Sequence, residues 1–264
     1  MRRCKNIPLF IITIITMAGF VPSHAETTET EALQDMSDPL AVFTQTGLGV
    51  TDKGMNIKFG QTYKPSTPGY AAQNVIEIKG IGGELFDIRD SDKPLYRNVD
   101  NSIDSFRFRN FKVAVAKGVG TQLDMSYNVD ADALDTSYSF IKAMPPVLGA
   151  INFYPLLGAG VTIANEVSDD GYEILGTFAV AGMYAKATLS RNIWLNYNPL
   201  YLHTFSGSSN YQDGYYAGDS HLLTHELAIS YQINPRTNIR YFANWNTKVD
   251  FADGDHRIEI NYQW

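Results

Sequence analysis

His256-Arg257-Ile258-Glu259-Ile260-Asn261-Tyr262-Gln263-Trp264 ends the sequence in strict alternation. Successive side chains of a strand point to opposite faces. Ile258, Ile260, Tyr262 and Trp264 therefore share one face, and Arg257, Glu259, Asn261 and Gln263 share the other. The pattern recurs upstream. In 221–234, Leu223, Leu227, Ile229, Tyr231 and Ile233 oppose Thr224, Glu226, Ser230 and Gln232. In 237–249, Ile239, Tyr241, Ala243 and Trp245 oppose Arg240, Asn244 and Asn246. Leu123, Met125 and Tyr127 oppose Gln122, Asp124 and Ser126; Met55, Ile57, Phe59 and Tyr63 oppose Asn56, Lys58 and Thr62. From Val42 onward the period is two, not 3.6, which makes the chain all-β.

Alternation alone does not separate a soluble sandwich, with its apolar face in a core, from a barrel with that face in lipid. The other end of the sequence bears on the choice. Arg2, Arg3 and Lys5 precede an apolar stretch from Ile7 to Val21, and Ser23-His24-Ala25 supplies small residues before a cut. Residues 1–25 read as a cleaved signal peptide. The apolar run falls short of the roughly 20 residues that span a bilayer as a helix. Cys4, the only cysteine, leaves with it. The mature chain then has no thiol for a disulfide, a thiolate metal site or a nucleophile.

The formal charge is −7. Residues 1–25 hold three basic residues and no acidic one, so their removal takes the charge to −10. Such a surface excludes nucleic acid as the expected partner. Residues 26–40, acidic and aperiodic, read as a flexible periplasmic N-terminal segment. Residues 41–264 carry the strands, drawn at 41–51, 54–64, 73–88, 104–117, 120–129, 135–144, 147–164, 173–189, 192–205, 221–234, 237–249 and 256–264. That is about twelve, with ten or fourteen as alternatives. Links between them alternate: tight ones such as Asn234-Pro235-Arg236, then mostly longer ones rich in Asp, Gly, Ser and Asn. The 16 tyrosines and 14 phenylalanines suit the aromatic girdles of a transmembrane barrel.

With an export signal at one end and an aromatic-terminated strand at the other, the sequence resembles the Gram-negative outer-membrane β-barrel (porin-like) superfamily. The resemblance covers nearly all of the mature chain in architecture and is specific only at the two ends. It implies a closed antiparallel transmembrane β-barrel, exported through the Sec pathway, whose Ile258, Ile260, Tyr262 and Trp264 signal to the barrel-assembly machinery. The implied surroundings are outer-membrane lipid and lipopolysaccharide, and the expected state is a monomer. A short lead-in leaves no room for an autotransporter passenger.

The inward face carries both signs: Lys58, Glu77, Lys79, Lys112, Asp124, Glu226, Arg240, Arg257 and Glu259. A water-filled lumen with such charges passes small polar solutes or ions passively, with Lys58, Asp124, Glu226 and Arg240 setting the local potential. A lumen plugged by its own ion pairs, as in a structural or receptor barrel, is the alternative. A third reading is a rim enzyme that cleaves lipid or peptide. His203, His221, His225 and His256 fall near the outer strand ends beside acidic residues, and histidine is the side chain readiest to act as a base near neutral pH. That reading needs a histidine hydrogen-bonded to a carboxylate or serine. The acidic outer loops, including Asp130, Asp132, Glu166, Asp169, Asp170 and Asp250, lack the spacing of a calcium loop. No cofactor and no metal site are expected. Arg107 and Arg109 are placed on the lipid side, if Val113 and Val115 face lipid. Gly80-Ile81-Gly82-Gly83 reads as a bend, since no helix follows to make a phosphate loop.

Overall fold

The computed structural model describes residues 33–89, 92, 103–165 and 171–264. The expected signal peptide at 1–25, residues 26–32, and Glu166, Asp169 and Asp170 lie outside them. The strands are β1 (Gln45–Thr51), β2 (Gly54–Tyr63), β3 (Tyr70–Ile81), β4 (Ser105–Ala114), β5 (Val119–Asn128), β6 (Ala133–Lys142), β7 (Ile151–Asn165), β8 (Tyr172–Thr188), β9 (Ile193–Tyr197), β10 (Leu200–Gly207), β11 (His221–Asn234), β12 (Thr237–Asn246) and β13 (Asp255–Gln263), with one short helix, α1 (Ser209–Gly214). Neighbours pair antiparallel, and β1 pairs with β13. The sheet is a closed barrel with no unpaired edge.

The expected strand at 192–205 is two segments. Pro199 has no N–H to donate to the ladder, which interrupts the strand there, although Asn198 still exchanges backbone hydrogen bonds with Glu226 at 2.8 and 3.3 Å. β9 and β10 nevertheless hold one register against both β8 and β11, with Tyr197 opposite Ala185 and Leu200 opposite Gly182. They form a single stave, so the barrel has twelve. β3 ends at Ile81, short of the expected 88, because Gly80 and Gly82 adopt φ of +72° and +68°. A strand does not continue through left-handed backbone. β7 starts at Ile151 rather than 147, after a turn in which Leu148 and Gly149 also have positive φ.

Polarity is inverted relative to a soluble sandwich. Leu48, Ile57, Phe59, Ile76, Ile229, Ile258 and Ile260 are exposed on the outside, whereas Asn56, Glu77, Gln122, Ser230, Asn238, Glu259 and Gln263 are buried. In water that outer band would be a large exposed apolar patch; in a bilayer it is the surface that needs no partner. One end carries the two ends of the barrel chain and short links such as Pro235-Arg236. The other carries the longer loops, the tight Asp52-Lys53 turn excepted.

Candidate functional site: the lumen and its two caps

Even and odd positions of each strand decide what enters the lumen. On β1 the inward residues include Gly47 and Gly49, which present no side chain. Across that bare lane Lys58 of β2 reaches Glu259 of β13, with Nζ donating to Oε1 at 2.6 Å. Arg257 Nε lies 3.5 Å from Glu259 Oε2. On the neighbouring strands Arg109 pairs with Glu77, and Lys79 Nζ stands 3.9 Å from the same carboxylate. Arg107 makes a two-pronged pair with Asp124, Nε donating at 2.8 Å. Such forked contacts are the strongest form of this ion pair.

The opposite wall is apolar. Ile141, Tyr154, Leu156, Phe178 and Val180 form a buried cluster inside the barrel, joined by Tyr184, Leu200 and Leu202. Tyr184 links the two walls, its hydroxyl donating to Gln122 Oε1 at 3.1 Å. A cavity of about 490 Å³ lies along the charged wall and meets the apolar group at Tyr184 and Leu200. The lumen is therefore two-sided, with charge on one side and hydrocarbon on the other.

Both ends of the lumen carry extra chain. At the loop end α1 folds inward. Tyr211 is buried and shares a hydrogen bond of 2.9 Å with Thr162, and Tyr215 donates to Asp135 at 3.2 Å. At the end bearing the termini, the residues from Leu33 to Phe43 cross the mouth as a strap. Gln34 and Gln263 exchange two hydrogen bonds, at 3.1 and 3.0 Å. Met36 Sδ accepts from Gln232 and Asn238, Asp35 accepts from Lys186 at 3.1 Å, and Phe43 N donates to Gln73. Leu40 packs on the apolar cluster. The lead-in expected to be flexible is tied to the barrel wherever it is described.

Of the residues assigned to the lumen from the sequence, Lys58, Glu77, Lys79, Glu226, Arg240 and Arg257 line the cavity. Asp124 and Glu259 join it through their pairs with Arg107 and Lys58. Lys112 does not: it is exposed, beside Tyr70, Phe140 and Leu157 on the outside. The inward residues of β4 are the odd ones, because Val113 is buried rather than lipid-facing. The same parity corrects Arg107 and Arg109, which point into the lumen. The signal that could have placed them is the pair of inward acids, Glu77 and Asp124, on the strands either side of β4. Phe242, also inward, was hidden because it breaks the polar run of β12. Arg240 and Arg257 stack on its ring, at 4.6 and 4.2 Å from its centroid.

Of the four histidines only His225 borders the lumen cavity. His203, His221, His225 and His256 share the outward parity of their strands, among aromatic rings. His225 stacks on Trp245 at 4.9 Å and bonds Tyr197 at 2.8 Å. His256 bonds Tyr241 at 2.7 Å. His221 pairs with Asp219 at 2.9 Å, but Lys248 shares that carboxylate at 3.3 Å. The carboxylate partner that a rim enzyme needs is thus present at His221 alone among the four, and it is already shared with a lysine. Among the described residues no three His, Cys, Asp or Glu side chains gather as metal ligands. Ile258, Ile260, Tyr262 and Trp264 are exposed on the outer face of β13.

No protein-family model and no curated protein sequence matches the chain. Solved structures do match in fold. An outer-membrane channel from Pseudomonas putida F1 superposes with a TM-score of 0.52 at 9% identity, over 88% of this chain and 98% of that one. The NanC porin superposes at 0.51 and 6% identity, over 84% and 100%. The protein is a twelve-stranded antiparallel barrel with the fold of outer-membrane porins and channels.

Proposed function

We propose that this protein is a passive channel of a Gram-negative outer membrane, carrying small polar solutes or ions through a mixed-charge lumen without a chemical step. The observation that carries this reading is the inverted polarity, apolar outside and charged inside, around a cavity of about 490 Å³. Lys58, Glu77, Lys79, Asp124, Glu226, Arg240, Arg257 and Glu259, with Arg107 and Arg109, set the potential along it. These are six basic and four acidic groups, most of them paired, so selectivity comes from local arrangement more than from net field. The barrel acts as a monomer exported through the Sec pathway. The assembly machinery reads Ile258, Ile260, Tyr262 and Trp264, and the rim faces lipopolysaccharide.

The strap and α1 favour a second reading, a closed structural or receptor barrel. Single-channel recording in planar bilayers separates the two. Discrete steps whose cation-to-anion preference shifts on Arg240→Glu or Glu226→Lys are the expected result. Silence from protein shown to be folded and inserted overturns the channel reading in favour of the closed barrel.

A further inference from the structure

Most of the lumen charges neutralise one another. Lys58 and Arg257 share Glu259, Arg109 and Lys79 share Glu77, and Arg107 takes Asp124. Arg240 and Glu226 differ. Arg240 donates to two neutral groups, Ser230 Oγ and Asn196 Oδ1, each at 2.9 Å. Glu226 accepts from the amide of Asn198 at 2.8 Å. Both line the cavity, and among the described residues neither has an ion-pair partner.

Their spacing follows from β9. Asn196 and Asn198 lie two residues apart on the same face of one stave, hence about 7 Å. The guanidinium is anchored on the first amide and the carboxylate on the second, and the two form no ion pair. Two contacts of about 2.8 Å plus the short N–Cα–C span of an α-amino acid reach about 8 Å. Anchors about 7 Å apart match that reach to within about an ångström, so one such molecule can contact both charges. Asn198 Oδ1 is buried without a hydrogen-bond partner, and it sits on the very amide that holds Glu226, as an acceptor for a second N–H. Leu200, Phe242 and Tyr184 line the same cavity and offer apolar surface to a side chain.

We infer that the lumen holds a binding site for small zwitterions of the α-amino-acid type, with the carboxylate on Arg240 and the ammonium on Glu226 and Asn198. A desolvated charge is costly until a counter-charge arrives; a zwitterion supplies both at once and leaves the lumen's balance unchanged. The site's role as a selectivity filter rests on the channel reading, but its existence does not.

The test compares L-leucine with leucine amide, which lacks the carboxylate, and 4-methylpentanoate, which lacks the ammonium. Calorimetry on the folded barrel in detergent reads binding, and bilayer recording reads block of the potassium chloride current. Saturable leucine binding at least tenfold tighter than either analogue is expected. Arg240→Gln and Glu226→Gln should each cut that preference to within about twofold while leaving the folded gel mobility unchanged. Equal or absent binding of all three to folded protein overturns the site, whether or not the barrel conducts. Selective leucine binding without any current would keep the site and overturn the channel reading.

Discussion

Lys58 and Glu259 belong to strands that are not neighbours, yet they form an ion pair of 2.6 Å across β1. Gly47 is what permits it. A Cβ built there would stand 2.9 Å from Lys58 Cε and 2.7 Å from Asn261 Oδ1. The pair spans the seam where the first and last strands close the barrel.

Gly47→Val should therefore force the lysine off its partner and leave Glu259 buried with Arg257, at 3.5 Å, as its remaining ion-pair partner. Breaking one partner of a buried pair costs about 3–5 kcal/mol. The expected outcome is a lower urea midpoint for the heat-modifiable gel band, with Gly49→Ala milder. An unchanged midpoint in Gly47→Val would show that the pair contributes nothing to closure.

Arg107 and Asp124 test the same point away from the seam. Asp124→Leu alone strands a guanidinium and should destabilise the barrel by about 3–5 kcal/mol, whereas Arg107→Leu with Asp124→Leu should recover most of that loss. Urea titrations of the single and double variants form the cycle. A double variant no better than the single would count against the pairing.

The outer face has the opposite chemistry. Ile57 is exposed and adjacent in sequence to Lys58, which points inward. Ile57→Arg puts a charge into lipid at a cost of about 2–4 kcal/mol near the bilayer centre. Reversible unfolding from vesicles should show a loss in that range, and a neutral result would place the strand's outer face in water.

The strap should govern how wide the lumen opens. Asp35 is held below its usual 3.8: burial works against its charge, but the hydrogen bonds from Ser37 and the Lys186 ammonium outweigh that. A carboxyl whose folded pKa is depressed contributes stability that is full above the unfolded value and lost as pH falls through the folded one. Conductance should then rise as pH drops below 3.8, and Asp35→Asn should show the wider state at neutral pH. Deleting residues 33–40 should widen it at every pH. A conductance indifferent to all three changes would remove the strap from the permeation path.

The faces of β2, β11, β12 and β13 were legible from the sequence, since a one-residue error inverts every side chain and makes alternation a strong signal. β4 is the exception: Phe106 and Phe108 alternate with Arg107 and Arg109, but Phe111 falls out of phase, and taking Val113 as lipid-facing reverses the face. The Pro199 break was legible in principle, as proline removes a ladder donor. The strap was not. Residues 33–43 have no period, and nothing local announces that Gln34 will meet Gln263, 229 positions away.

That separation bears on how the molecule comes to be. The strap's anchors, Gln232, Asn238 and Gln263, are contributed by the last strands of the barrel. Their encounter with Gln34 and Met36 has about the highest contact order the chain permits, and such contacts form late. The mouth must therefore stay unlatched until the β1–β13 seam is made. A protease added during refolding should cut at 33–43 before closure and lose access afterwards, so that the strap records whether closure is complete.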